Sequence, residues 1–216
     1  ETIFVVTESV FSMDGDSAAL KEISALCKKY HAYLIVDEAH ATGVFGRQGR
    51  GLCNAAGIEN DCFARVHTFG KALGTQGAVV VGDKMLKDYL VNFARSFIYT
   101  TALPPAGAAS VMASYDLLLS KKNGSSLQKN ILLFNQLTSS FSAKIASKSA
   151  IHCFLVPGNE NAIKASERLQ KKGFDVRAIK SPTVKAGSER LRVCLHAVNT
   201  EKEIKALAKE LRAIFC

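Results

Sequence analysis

A mostly parallel α/β sheet followed by a small α+β unit is the fold class this sequence predicts. Two observations carry it. Short, continuous apolar runs alternate with amphipathic stretches through the first half, and a polar, glycine-containing stretch near residue 123 separates them from a shorter α+β pattern. Apolar strands separated by helices of period 3.6 point to a sheet buried on both faces.

The first strand spans about Ile3 to Val6. Asp14-Gly15-Asp16-Ser17 supplies a turn and a helix N-cap signal, after which Leu20, Ile23, Leu26, Cys27 and Tyr30 recur at helical spacing. Tyr33 to Asp37 reads as a second strand, ending in a loop with Gly43, Gly46, Gly49 and Gly51. A third strand covers about Ala64 to Thr68 and a fourth Gly77 to Gly82, with a helix following from about Asp83 to Arg95. Pro104-Pro105 stands where a helix can start. The predicted joint is Lys121-Lys122-Asn123-Gly124-Ser125-Ser126, dividing the chain into domains 1–122 and 123–216. Beyond it come a helix (about Leu127 to Ala146), a strand (Ile151 to Val156) and a helix (Asn161 to Lys172). Strands at Phe174 to Ile179 and Arg190 to Leu195 and a last helix from Thr200 complete the pattern.

With 216 residues, 48% of them hydrophobic, the chain can build a core without a metal or disulfide staple. Its six cysteines include no Cys-x-x-Cys pair and read as reduced thiols of a cytoplasmic protein. Cys53, Cys62 and His67 match no structural zinc spacing, so no metal is expected. The net charge of +9 is dispersed, and the lysine pairs at 28–29, 121–122 and 171–172 fall near predicted helix ends, where cations complement the helix dipole. A nucleic-acid partner is therefore not expected. No stretch approaches the ~20 apolar residues of a membrane span, and no signal-peptide pattern is present.

Functional groups of parallel sheets gather at the carboxyl ends of strands. The loop after strand one carries Ser9 and Ser12, strand two ends in Asp37-Glu38-Ala39-His40, and strand three ends in Thr68-Phe69-Gly70-Lys71. An acid and a lysine at adjacent strand ends suit pyridoxal phosphate (PLP). That cofactor is an electron sink while its pyridine nitrogen stays protonated, which a nearby carboxylate secures. The lysine should be partly desolvated, so that its amine is a nucleophile and later a proton shuttle. Thr68 could serve the phosphate, and His40 and Ser12 the phenolate oxygen. Taken singly, Asp37 could be a strand-end cap, Lys71 a surface cation and His40 a satisfied buried histidine; three successive strand ends argue jointly for the cofactor. Asp37-Glu38-Ala39-His40 also resembles the acidic motif of DEAH-type helicases, but Thr68-Phe69-Gly70-Lys71 has no use there and no Gly-x-x-x-x-Gly-Lys-Ser/Thr loop is present.

The sequence resembles the α-oxoamine synthase family of fold-type I PLP enzymes along nearly its whole length. The likeness lies in Ser9-Val10-Phe11-Ser12-Met13-Asp14-Gly15-Asp16, in Asp37-Glu38-Ala39-His40 with Gly43-Val44-Phe45-Gly46 and Gly49-Arg50-Gly51, and in Thr68-Phe69-Gly70-Lys71-Ala72-Leu73-Gly74. Ile98 to Pro105, Pro182-Thr183-Val184 and Arg190-Leu191-Arg192 extend it. The resemblance implies the C-terminal part of a PLP-binding large domain plus a small C-terminal domain, with residue 1 in the middle of the large domain. It implies Lys71 as Schiff-base lysine, Asp37 as pyridine-nitrogen partner, His40 and Ser12 as cofactor oxygen ligands and Thr68 as phosphate ligand. Thr100 and Thr101 would serve the phosphate of a neighbouring subunit in a homodimer. Arg192 would bind the amino-acid carboxylate, with Thr183 near the substrate; Arg190 shares a strand face with Arg192, and spacing alone does not separate the two.

The implied activity is decarboxylating condensation of an amino acid with an acyl thioester to an α-amino ketone. Thr68-Phe69-Gly70-Lys71 and Pro182-Thr183-Val184 are most similar to the branch that joins alanine to a pimeloyl thioester in biotin biosynthesis; branches using glycine with an acetyl group, or serine with a palmitoyl group, are the rivals. Lys185 and His196-Ala197-Val198-Asn199 depart from that branch's pattern and bear on acyl specificity. A reading of another class is a catalytically silent fragment that only folds or dimerises.

Overall fold

The computed structural model describes residues 1–119 and 122–215. The chain divides into two compact units: Glu1–Val10 with Ala18–Lys121, and Phe11–Ser17 with Lys122–Cys216.

The first unit is built on a four-stranded sheet in the order β1 (Phe4–Glu8), β2 (Tyr33–Asp37), β3 (Ala64–Thr68), β4 (Ala78–Gly82). β1, β2 and β3 are parallel, and β4 returns antiparallel to β3, giving the mostly parallel sheet the apolar runs predict. The crossover from β1 to β2 is helix α1 (Leu20–Lys29), whose Leu20 and Cys27 pack with Leu34, Val36, Cys53 and Ile58. Between β2 and β3 lie a 3-10 turn (Arg47–Gly49) and the short helix α2 (Leu52–Ala56), which the sequence pattern does not announce. Helices α3 (Lys84–Phe93), α4 (Arg95–Ile98) and α5 (Pro105–Leu119) follow, with Asp83 capping α3 by accepting from the Leu86 N–H at 2.9 Å.

The expectation of a sheet buried on both faces is not met among the described residues. β2 buries one face, through Leu34 and Val36, while every residue of β4 is exposed and Val6 of β1 is 69% exposed. The reason is position: the outer strands have neighbours on one side only, and nothing among the described residues covers them. No helix of the described residues is long and apolar enough to cross a membrane.

The second unit holds a three-stranded antiparallel sheet in the order β5 (Ile151–Leu155), β7 (Arg190–Cys194), β6 (Arg177–Ile179). Helices α6 (Lys122–Leu137), α7 (Asn159–Lys171) and α8 (Glu201–Phe215) supply its other elements, around a core of Phe134, Phe154, Leu169, Leu191, Ile204 and Leu211. The segment 121–126 is helical from Lys122 onward, while Lys121 lies outside the described residues. One expectation is corrected here. The helix expected to reach Ala146 stops at Leu137, because Thr138 Oγ donates back to the Phe134 carbonyl at 2.7 Å and two serines follow. The chain then lies along β5, with the Ile145 N–H donating to Cys153 O at 2.9 Å and the Leu155 N–H to Ala143 O at 2.8 Å.

Residues 11–17 are fastened into this unit by specific bonds. Arg190, nearly buried, pairs with Asp14. Ser147 Oγ and Ser149 Oγ each donate to Gly15 O at 2.8 Å, and the Cys153 thiol lies 3.2 Å from Met13 O. Gly15 has φ +78°, and a Cβ there would stand 2.2 Å from the Ile151 carbonyl oxygen, so only glycine fits.

His152, on β5, is fully buried beside Phe134, and neither ring nitrogen has a hydrogen-bond partner among the described residues. Burial, with Lys144 nearby adding repulsion, pushes its pKa down to about 3 from an ordinary 6.5. A depressed folded-state pKa means the stabilisation is complete above the unfolded value and is lost as pH falls from about 6.5 towards about 3. Its full size is on the order of 5 kcal/mol. The variant His152→Phe should therefore unfold at lower pH than the parent, read as the midpoint of an acid titration followed by circular dichroism; an unmoved midpoint would show that this histidine does not drive acid unfolding.

Candidate active site

Within the first unit the parallel register sets Asp37 opposite Val66 and next to Glu8. Asp37 therefore ends β2 two residues short of the level at which Thr68 ends β3. Asp37 is half-buried, and its Oδ1 accepts the Ala39 N–H at 2.7 Å. Its carbonyl is held by Ser9, through the N–H at 2.8 Å and Oγ at 3.1 Å. These bonds orient the carboxylate at the strand end.

The corner after Asp37 is shaped by Glu38, to which the sequence reading assigns no role. Glu38 is fully buried; Oε2 accepts the Leu52 N–H at 2.8 Å and Oε1 the Cys53 N–H at 2.7 Å. Gly51 is the adjoining requirement, since a Cβ there would stand 2.6 to 2.7 Å from the Glu38 carboxylate. The Glu38 carbonyl accepts the Thr42 hydroxyl at 2.9 Å, and Thr42 Oγ lies 2.8 Å from His67 Nδ1. Because the Thr42 proton is already given to Glu38, His67 donates from Nδ1. Burial lowers the His67 pKa, which keeps the ring neutral. The cue in the sequence is slight: an acid beside the strand end, and a glycine whose need becomes visible only when the two segments meet.

Lys71 lies in the loop joining β3 to β4. The Phe69 N–H donates to Gly77 O at 2.9 Å, that of Thr75 to Phe69 O at 3.0 Å and that of Gly74 to Lys71 O at 3.1 Å. Phe69 and Leu73 are buried and anchor the loop, with Phe69 edge-on to Tyr115. Ala72 fits so closely against Gly43 that a Cβ on the glycine would lie 2.5 Å from the alanine methyl. The glycine-rich loop and the lysine loop are thereby held together. The desolvation expected for Lys71 is not found: its residue is exposed, because nothing among the described residues covers this loop.

Thr68 supplies the neighbouring polar group. Its Oγ is buried without a hydrogen-bond partner among the described residues. A buried hydroxyl in that condition costs free energy unless another group meets it. A phosphate oxygen is a chemically fitting acceptor, so the residues present fit PLP: an oriented carboxylate, a primary amine and an orphaned hydroxyl at adjoining strand ends. His40, half-buried, follows Ala39 in the same corner. Thr100 Oγ donates to Ser96 O at 2.7 Å after α4, and exposed Thr101 follows it.

The second unit holds the remaining candidates. Ser12 is half-buried in the fastened segment 11–17, and Thr183 is exposed in the turn after Pro182. The two arginines of β7, inseparable by spacing, differ in their partners. Arg190 is consumed by Asp14, with Nε donating to Ser188 O at 2.9 Å. Arg192 has a buried Nε without a hydrogen-bond partner among the described residues.

Residues 1–211 match the family described as aminotransferase class I and II. The 8-amino-7-oxononanoate synthase of Emericella nidulans is 42% identical over 97% of this chain. Among solved structures, SPT with a PLP internal aldimine superposes with a TM-score of 0.92 at 31% identity, covering 98% of this chain and 54% of that one. The 8-amino-7-oxononanoate synthase from Francisella tularensis gives 0.85 at 33% identity, over 100% of this chain and 64% of that one. This chain spans about half the length of the curated relatives it matches, 54% in the Emericella protein. Sequence match, fold and strand-end chemistry agree: the chain belongs to the aminotransferase class I and II family.

Proposed function

We propose that the protein of which this chain forms part is a PLP-dependent acyltransferase of the α-oxoamine synthase type. It condenses L-alanine with a pimeloyl thioester, with loss of carbon dioxide, in biotin biosynthesis. The observation that carries the reading is the orphaned Thr68 hydroxyl beside the oriented Asp37 carboxylate and the Lys71 loop. The synthases from Emericella nidulans and Ralstonia pickettii, 42% and 39% identical over 97% of this chain, support the choice of branch.

In this reading Glu1 to Lys122 belongs to the PLP-binding large domain, and Asn123 to Cys216 is the small C-terminal domain. The protein acts in the cytoplasm as a homodimer with active sites at the subunit interface, where Thr100 and Thr101 serve the phosphate of the neighbouring subunit.

PLP, when bound, supplies the electron sink that makes the amino-acid α-carbon acidic. The residues do the rest. Asp37 holds the proton on the pyridine nitrogen by opposite charge. Thr68 Oγ donates to the phosphate, and Ser12 and His40 meet the phenolate oxygen. Lys71 Nζ would hold the cofactor and would accept the proton from the substrate α-carbon. The Arg192 fork grips the substrate carboxylate in two parallel hydrogen bonds. Proton return falls to Lys71 or His40.

A serine palmitoyltransferase-like activity is the second reading, favoured by the 0.92 TM-score to SPT. Incubating the full-length protein with pimeloyl thioester and each amino acid should give an amino ketone from alanine; turnover with serine alone would reject the first reading. Lys71→Ala should abolish the visible absorbance of lysine-linked PLP and all turnover, and persistence of that band would remove Lys71 from its role. Arg192→Ala should raise KM for the amino acid roughly 10- to 100-fold, the loss of a charged hydrogen-bond pair. Arg190→Ala should chiefly lower the melting temperature, so steady-state kinetics and thermal unfolding together separate the two arginines.

A further inference from the structure

Cys53 and Cys62 belong to the first unit, and their Sγ atoms lie 3.9 Å apart. Each is fixed by bonds that do not involve the other. Cys53 is buried in α2, and its N–H is held by Glu38 Oε1 at 2.7 Å. Cys62 is half-buried in the turn before β3. On one side of it Asp61 pairs with Lys28 at 2.6 Å and accepts the Ser24 hydroxyl at 2.9 Å. On the other, the Phe63 N–H donates to Leu34 O at 2.8 Å. The sulfurs therefore meet in a preformed arrangement, across a short stretch of chain whose closure has little entropy left to lose.

The two thiols are chemically unequal. The hydrogen bond from Cys53 stabilises a thiolate at Cys62 and lowers its pKa, with Arg65 acting in the same direction. That same bond, burial and the Glu38 charge raise the pKa of Cys53. A more accessible thiol with the lower pKa, against a buried one with the higher, is the division between an attacking and a resolving cysteine. Sulfur bonding distance is about 2.05 Å, so the 3.9 Å gap must close by about 1.9 Å, a movement that side-chain rotation at Cys62 can begin.

We propose that Cys53 and Cys62 form a reversible redox site, oxidised by hydrogen peroxide to an intramolecular disulfide. The Cys62 thiolate attacks one peroxide oxygen, the O–O bond breaks, and the departing hydroxide takes up the proton shed by that thiol and leaves as water. Cys62 is then a sulfenic acid. The Cys53 sulfur attacks Cys62 Sγ, and its proton leaves with the hydroxyl as a second water. Two thiols give up two electrons and one peroxide accepts them; a dithiol reductant reverses the change. Because Glu38 holds the Cys53 amide and follows Asp37 directly, closing the bridge pulls on the corner that carries Asp37 and His40. That consequence rests on the functional reading above; the disulfide does not.

The test treats the PLP-loaded, full-length protein with peroxide, blocks remaining thiols with iodoacetamide after denaturation, and maps the peptides. The expected result is a Cys53–Cys62 linked peptide that disappears with dithiothreitol, and a sulfenic acid at Cys62, trapped by dimedone, in Cys53→Ser. Alkylation of both Cys53 and Cys62 after oxidant, or a bridge from Cys62 to the neighbouring Cys27, would overturn the site. PLP absorbance of the oxidised sample should fall and return on reduction, and Cys62→Ser should not respond. Absorbance unchanged by a mapped bridge would overturn the coupling through Glu38. Reduced protein that takes up no PLP would overturn the functional reading, while the peptide map still decides the disulfide.

Discussion

The arrangement of the first unit depends on one buried carboxylate. Glu38 is fully buried, and its two oxygens accept the N–H groups of Leu52 and Cys53 that open α2. Its own N–H donates to Val66 O at 2.8 Å, which continues the β2–β3 pairing one residue past the strand, and its carbonyl takes the N–H groups of Ala41 and Thr42. Four segments thus converge on one residue: the end of β2, the turn after it, the start of α2 and the neighbouring strand. Removing the carboxylate would orphan two buried N–H groups, at about 1–3 kcal/mol each. Asp37 directly precedes this residue and His40 follows it by two, so the Glu38 network takes part in placing both.

That dependence links packing to chemistry. The acid that orients the corner is chemically silent in the proposed reaction, yet it determines where the reactive acid points. The same network reaches the Cys53 amide, so a change in sulfur oxidation state has a physical route to the strand end. Gly51 and Gly43 permit this crowding, the first by leaving room for the Glu38 carboxylate and the second by admitting the Ala72 methyl. Side chains at either position would separate segments that the site requires together.

A second theme is the contrast between polar atoms that are engaged and those that are not. Arg190 and Arg192 stand two residues apart on one face of β7, and alternation treats them alike. Asp14 occupies the first, while Nε of the second is buried without a partner. Thr68 shows the same orphaned state on β3. Buried polar atoms are rarely left unmatched, which sets these two atoms apart from their engaged neighbours. His152 is also unmatched, but its neighbours include the Phe134 ring and its two nitrogens belong to a packed core, so there the cost falls on stability.

Local pattern alone determined much of this protein. The β2 and β3 spans, the helix at Leu20, the start of α5 after Pro104 and the strand-end positions of Asp37, Thr68 and Lys71 follow from apolar periodicity and turn chemistry, which act over a few residues. Tertiary structure decided the rest. The end of α6 at Leu137, the membership of residues 11–17 in the second unit, the separation of Arg190 from Arg192, the exposure of Lys71 and the meeting of Cys53 with Cys62 all depend on residues distant in the chain. Hydrogen bonds and ion pairs such as Arg190 to Asp14, 176 positions apart, leave no periodic trace in the sequence. They exist only once the backbone has brought their partners together.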